Sequence, residues 1–264
     1  MKAIPSQSIH RLSLRKSALV LALTASALTL RAAPIGVPNR SFESQSGAGQ
    51  PFGVNIFVDS WEKAAKPDYF DEQAVGFFWI QTAGVFVDTN PYTNHTGTQA
   101  AYILPFPGVA LFQDYSTLDW NDAAPPHDFN AIYEVGSSYH LTVGVFGKGI
   151  SDGSLLQLSL YYRDGLNQMV PVGIPNTIVY SPAGFPTAPP LSLIDFSVDT
   201  AEVQPGDAWA GQNIGIAITS LYGTGAGNWD FDNVRLAAVP EPSALGLLAF
   251  GLAGFLRKRP RFTA

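Results

Sequence analysis

Between its two ends the chain reads as all-β, a single β-sandwich or jelly roll of roughly eight to ten strands. Three observations lead there. Apolar residues recur at every second position in short runs, the pattern of half-buried strands. The 264 residues include 25 Gly and 20 Pro, placed as turn punctuation between those runs. No stretch of the body keeps a 3.6-residue period, and no internal repeat points to a solenoid or propeller.

Taken in order, residues 34–50 form a polar approach closed by Gly47, Gly49 and Pro51. Val54, Ile56 and Val58 alternate as a strand, and residues 74–87, rich in Phe, Trp, Ile and Val, read as two strands split near 82–84. Residues 98–104 and 109–115 are two more strands, separated by Pro105 and Pro107, and residues 116–130 are a polar connection. The clearest strands follow: Tyr139, Leu141, Val143 and Val145 alternate, as do Leu156, Leu158, Leu160 and Tyr162. Pro171 and Pro175 make 169–180 an edge strand or a loop, because proline cannot donate to a ladder. Four prolines make 182–190 a loop. Residues 193–198, the Ile214, Ile216, Ile218 run, and 229–236 complete the body.

The ends differ from the body. Arg11, Arg15 and Lys16 precede an apolar run over 18–30, with small residues at Ala25, Ala27, Ala32 and Ala33, so 1–33 reads as a signal peptide cut near 27 or 32–33. An uncleaved N-terminal anchor is the alternative. At the other end, 239–264 carries Pro240, Glu241 and Pro242, an apolar run over 244–256, and the basic cluster Arg257, Lys258, Arg259 and Arg261. The apolar run is a short hydrophobic helix with a membrane-stop cluster behind it. Thirteen helical residues reach about 20 Å against roughly 30 Å of hydrocarbon, so a permanent span is strained. What remains, 34–238, is one domain. It holds six Lys or Arg against twenty Asp or Glu, a net −14. Such a body repels nucleic-acid phosphate, which excludes that class of partner, and suits divalent cations and neutral polysaccharide. There is no cysteine, so burial alone must hold it.

The order Pro-Glu-Pro, apolar run, basic cluster resembles the PEP-CTERM sorting signal of exported bacterial proteins. That resemblance implies recognition by an exosortase after Sec-type export, transient attachment to the inner membrane of a Gram-negative-type cell, and a final place at the cell surface or in the extracellular matrix. A plain C-terminal anchor is the alternative.

Within the body, Asn39-Arg40-Ser41-Phe42-Glu43 near the start and Trp229 to Leu236 near the close stand out. Trp229 and Phe231 share one strand parity while Val234 and Leu236 share the other, so the apolar phase slips at Asp232-Asn233, as a β-bulge would make it. The pair resembles the galactose-binding-like jelly rolls, carbohydrate-binding modules among them, with Arg40 standing where a Gly is often found. Looser echoes lie at 108–113, 135–143 and 211–218. The resemblance implies a structural Ca²⁺ held by Glu43 and Asp232, with Asn39 as a further oxygen donor. The alternative is that the two carboxylates only accept backbone hydrogen bonds. No other cofactor is implied.

Sugar binding needs aromatic platforms. Trp61, Trp79, Trp120, Tyr161, Tyr162 and Tyr222 qualify by type, and Trp120 has the most polar neighbours, Asp119, Asn121 and Asp122. Aromatics also fill sandwich cores. Catalysis finds no motif: His95, His127 and His140 lack metal-ligand spacing, no nucleophile elbow or phosphate loop occurs, and the close trio Asp68, Asp71 and Glu72 has no readable partner. His140 has solvent-facing parity opposite to Leu141 and Val143. The expectation is a non-catalytic surface or matrix protein associated with polysaccharide. A purely adhesive protein and a glycan hydrolase are the alternatives.

Overall fold

The alternating runs become the strands of two antiparallel sheets. The computed structural model describes residues 32–44, 47–50, 53–87, 92–115, 129–185, 191–223 and 227–240. Within them, β1 (Ala33–Ile35), β2 (Val54–Asn55), β3 (Glu62–Lys63), β4 (Ala83–Val87), β5 (Gln99–Ile103) and β6 (Ala110–Gln113) precede the long pair β7 (Ser137–Lys148) and β8 (Leu155–Arg163). Then come β9 (Met169–Val179), β10 (Ile194–Asp199), β11 (Gly215–Tyr222) and β12 (Asn228–Pro240). One sheet runs β10-β7-β12-β5-β4-β2, with β1 added beside β12, and the other runs β3-β6-β11-β8-β9. This is a β-sandwich, and Ala33–Ala238 forms one compact unit.

Parity decides which side chains meet. Leu156, Leu158 and Leu160 of β8, Ile216 and Ile218 of β11, and Leu111 of β6 point inward from the five-stranded sheet, all fully buried. They face Leu141, Val143 and Val145 of β7, Ile103 of β5, and Trp229 and Phe231 of β12. Each such side chain contributes about 1.5–3 kcal/mol of hydrophobic stabilisation, which replaces the disulfides this chain lacks. The β9 segment is a strand and lies at the sheet edge, where Pro171 and Pro175 cost no ladder bonds.

Three readings change. Residues 74–87 hold one strand, not two: α1 (Glu72–Val75) and a 3₁₀ turn (Trp79–Thr82) precede β4. Asp71 caps α1 through the amides of Gln73 and Ala74, and Gly76, at φ 80°, ends it. Aromatic richness there serves packing, since the Phe70 and Trp79 rings meet at 4.8 Å. The alternation at 54–58 yields only two strand residues. Conversely, the polar approach contains β1, which pairs Ala33 with Ala238 and Ile35 with Leu236.

No helix among the described residues is long and apolar enough to cross a membrane. Residues 1–31 of the leader, the C-terminal apolar helix, Trp120, Glu241, Pro242, Arg257, Lys258 and Arg259 lie outside the described residues; Ala33, placed in the leader from sequence, opens β1, and Pro240 is the last residue of β12.

Candidate functional site

Two places gather polar chemistry. The first is built where the slip in β12 meets the N-terminal turn. Asn39 and Phe42 both adopt positive φ, 45° and 56°, closing a turn in which Phe42 N–H donates to the Asn39 carbonyl at 3.1 Å. The buried Phe42 ring packs on Trp61 at 5.3 Å and Phe231 at 5.5 Å, which fixes Glu43 beside it. The turn is tied to the last strand by Val234 N–H donating to the Arg40 carbonyl at 3.0 Å. Asn233 has φ 56°, the left-handed residue that the change of parity requires.

A third segment, 94–99, lies across both. Glu43 accepts from the amides of Thr98 at 2.9 Å and Gln99 at 2.8 Å, and from the Thr98 hydroxyl at 3.2 Å. Gly97, at φ +88°, must be glycine, because a Cβ there would stand 2.4 Å from the Glu43 carboxyl carbon. Asp232 is wholly buried and accepts from Thr96 N–H at 2.7 Å through Oδ2, with His95 Nε2 3.9 Å away. Its Oδ1 has no hydrogen-bond partner among the described residues. Burial pushes the Asp232 carboxyl up to about 6, and the Glu43 charge adds to that. The Thr96 and Asn233 amides and His95 act in the opposite direction. Asn39 is engaged in its own loop: its Oδ1 accepts from Ser44 N–H at 3.1 Å and its Nδ2 donates to the Asp59 carbonyl at 2.7 Å.

Thus Glu43 and Asp232 come to one place while Asn39 holds the turn that carries Glu43. The 94–99 segment was not singled out from sequence. Its signal was Gly97 inside an otherwise polar run, which reads equally as a plain turn.

The second place is the outer face of the five-stranded sheet. Register puts Glu62, Phe112, Ala217 and Ser159 in one row across β3, β6, β11 and β8. The next row holds Gly215, Tyr161 and Pro171. Tyr161 lies flat on the sheet, since a Cβ on Gly215 would fall 2.3 Å from its ring. Its hydroxyl donates to Asp114 Oδ2 at 2.5 Å, and Arg163 Nε donates to the same oxygen at 2.8 Å. The guanidinium stands 5.6 Å from the centre of the Phe112 ring. Burial, then the Asp114 carboxylate, pushes the Tyr161 phenol well above its ordinary value, so it remains a donor. A cavity of about 150 Å³ opens here, lined by Asp114, Tyr115, Tyr161, Arg163, Asn167, Gln212 and Asn213. Tyr115 stands 54% exposed at its rim. Farther along the face, Tyr222, Leu155 and Val179 form a cross-strand apolar row.

The other aromatic candidates divide. Trp61 and Trp79 are core residues, Tyr162 packs against the core, and Tyr222 is exposed. His140 faces solvent, as its parity predicts, and pairs across strands with Asp199 at 2.6 Å. Asp71 caps α1, while Glu72 accepts from Trp79 N–H at 2.9 Å and pairs with Lys66 at 3.7 Å. Asp71 and Glu72 are therefore structural.

Residues 238–259 match the PEP-CTERM protein-sorting motif, which implies exosortase-dependent export to the cell envelope or surface. No curated protein matches the chain. Among solved structures, a cyclase from Fischerella sp. TAU is 20% identical, covering 81% of this chain and 100% of its own, with a TM-score of 0.51. A Stig cyclase, Fisc, from the same organism, in complex with (3Z)-3-(1-methyl-2-pyrrolidinylidene)-3H-indole, is 21% identical over 80% of this chain and 100% of its own, TM-score 0.50. A CBM4 structure is 13% identical over 77% of this chain and 99% of its own, TM-score 0.40. The cyclases share the sandwich fold with this chain; at such identity the likeness extends no further.

Proposed function

We propose that this chain is an exosortase-sorted surface or matrix protein whose body binds neutral extracellular polysaccharide without turning it over. In this reading it passes the Sec machinery and rests transiently in the inner membrane through its C-terminal segment. The observation that carries the binding role is the cavity at Tyr161. It combines an exposed tyrosine with Asn167, Gln212 and Asn213, and amide residues beside an aromatic ring face are a set that recognises sugar hydroxyls. Arg163 is already neutralised by Asp114, so a neutral sugar suits the site better than an anionic one. Among the described lining residues Asp114 is the sole carboxylate, whereas glycoside hydrolysis calls for a flanking pair. The test is calorimetric titration of the full-length chain in detergent with neutral oligosaccharides. Tyr115→Ala is expected to weaken binding at least about tenfold, the scale of one lost aromatic contact. If no neutral polysaccharide binds, the reading fails.

A structural Ca²⁺ belongs to the same proposal. Glu43 and Asp232 are hard oxygen donors, and a buried carboxylate oxygen without a partner is what a cation would satisfy. When bound, the ion would neutralise the two carboxylates. It would thereby hold the 39–43 turn, the 94–99 segment and β12 together, and the protein residues do the rest of the pinning already.

A further inference from the structure

The outer face of the other sheet carries a second, larger cleft. Register sets Tyr102 of β5 opposite Gly84 of β4, and Phe86 of β4 opposite Val54 of β2, so these side chains leave the same face. Gly84 lets the Tyr102 ring lie down: a Cβ there would stand 2.8 Å from the ring. The Tyr102 hydroxyl donates to the Gln81 carbonyl at 3.1 Å, fixing the ring in place, and the Phe86 ring flanks it at 6.4 Å. The resulting space is about 380 Å³, within the range of small-molecule sites, with Lys148 and Asn228 on its polar side.

Charge narrows the ligand. In a body of net −14, Lys66, Arg163 and Arg235 are each paired with a carboxylate, Lys63 is buried on backbone carbonyls, and Arg40 is exposed on the N-terminal turn and does not line this cleft. Lys148 is exposed at the end of β7, lines this aromatic cleft, and has no ion-pair partner among the described residues. The Tyr102 ring, with Phe86 inclined 57° beside it, next to one unneutralised ammonium is complementary to a six-membered ring that bears a single carboxylate. A polyanion of high charge density is repelled by the surrounding acidic surface. The Asn228 amide nitrogen is spent on Asp230, which leaves its carbonyl oxygen as the acceptor it can offer a hydroxyl.

We propose that this cleft binds an isolated uronate residue of an otherwise neutral polysaccharide, its ring face against Tyr102, its edge towards Phe86 and its carboxylate on Lys148. The site lies on the opposite sheet from the Tyr161 cavity and stands or falls independently of it. If both are occupied, one body joins two glycan chains.

The experiment titrates the full-length chain in detergent, with EDTA present, using methyl β-glucuronide, its methyl ester, and benzoate as an aromatic carboxylate. The acid should bind, with at least about tenfold weaker binding for the ester and for Lys148→Gln, the scale of one charge-assisted contact. Tyr102→Ala should abolish binding, with an unchanged circular-dichroism spectrum as the control for folding. Tyr115→Ala should leave it untouched, which separates this site from the neutral-sugar cavity. The proposal is overturned if methyl β-glucuronide does not bind, if the ester binds as well or Lys148→Gln binds the acid as well, or if benzoate binds as tightly as the glucuronide.

Discussion

Replacing Asp232 with Asn should reverse its sign of effect with calcium. Burial beside Glu43 raises the Asp232 carboxyl from its ordinary 3.8 to about 6, so keeping it ionised at neutral pH costs roughly 3 kcal/mol. Asn removes that cost but weakens the bond from Thr96 N–H by about 1 kcal/mol, the difference between a charged and a neutral acceptor. In EDTA at pH 7.5 the variant should therefore be more stable by about 1–2 kcal/mol, a rise of several degrees in Tm for a body of this size. With Ca²⁺ at about a hundred times its Kd, the native chain gains about 2.7 kcal/mol and the variant gains nothing, so the order inverts. The pH dependence carries the same sign. The folded carboxyl holds its proton up to about 6 and the unfolded one releases it near 3.8, so in EDTA native stability falls as pH rises from about 4 to about 6 and is level above. Calcium should erase that fall. Differential scanning fluorimetry over both series decides. A variant destabilised equally in EDTA and in Ca²⁺ would show that Asp232 only pins backbone, and the cation would have to be abandoned.

Gly97→Ala forces a side chain into φ +88° and against Glu43, which should cost at least about 2 kcal/mol and remove any calcium-dependent rise in Tm; a neutral substitution would contradict the packing described. Lys63 is buried, its amine donating to the carbonyls of Ile56, Ile80 and Ala83, and burial pushes it down to about 7. The unfolded amine keeps its proton to about 10.5, so stability should rise between pH 7 and 9, with a slope approaching about 1.4 kcal/mol per pH unit. Urea midpoints that stay flat over that window would mean the three carbonyls hold the amine charged. Deleting residues 240–261 should leave a protein that is exported but no longer retained at the envelope, read by fractionation and immunoblot; retention of the truncated chain would refute sorting by the tail.

The sandwich was legible because inward-facing positions announce themselves. Leu156, Leu158 and Leu160 could face only a core, and the phase slip at Asp232-Asn233 marks the left-handed residue at Asn233. Residues 74–87 misled because aromatic richness is common to strands and to turns that pack, and only the caps at Asp71 and Gly76 separate them. β1 was hidden because three residues are too few to show a period. The sites were harder to read. Glu43 and Asp232 were legible through their motif, yet Thr96, Gly97 and Thr98 complete that cluster across more than fifty residues of sequence. The Tyr161 cavity and the Tyr102 cleft depend on glycines in neighbouring strands, Gly215 and Gly84, and cross-strand register cannot be read from either strand alone.

The bulge explains why the fold and the carboxylate cluster cannot be separated. Before Asn233, odd residues of β12 fill the core; after it, even ones do. Had the strand kept its phase, Val234 and Leu236 would face outward with Asp232, and the core would lose two fully buried side chains at about 1.5–3 kcal/mol each. The extra residue in left-handed conformation lets Asp232 stay on the outer side, under the 94–99 segment, while Val234 turns inward and its amide reaches the Arg40 carbonyl. Core continuity and the burial of a lone carboxylate oxygen thus depend on the same residue. A deletion of Asn233 is therefore expected to cost more than any substitution of Asp232, because it sets the two requirements against each other.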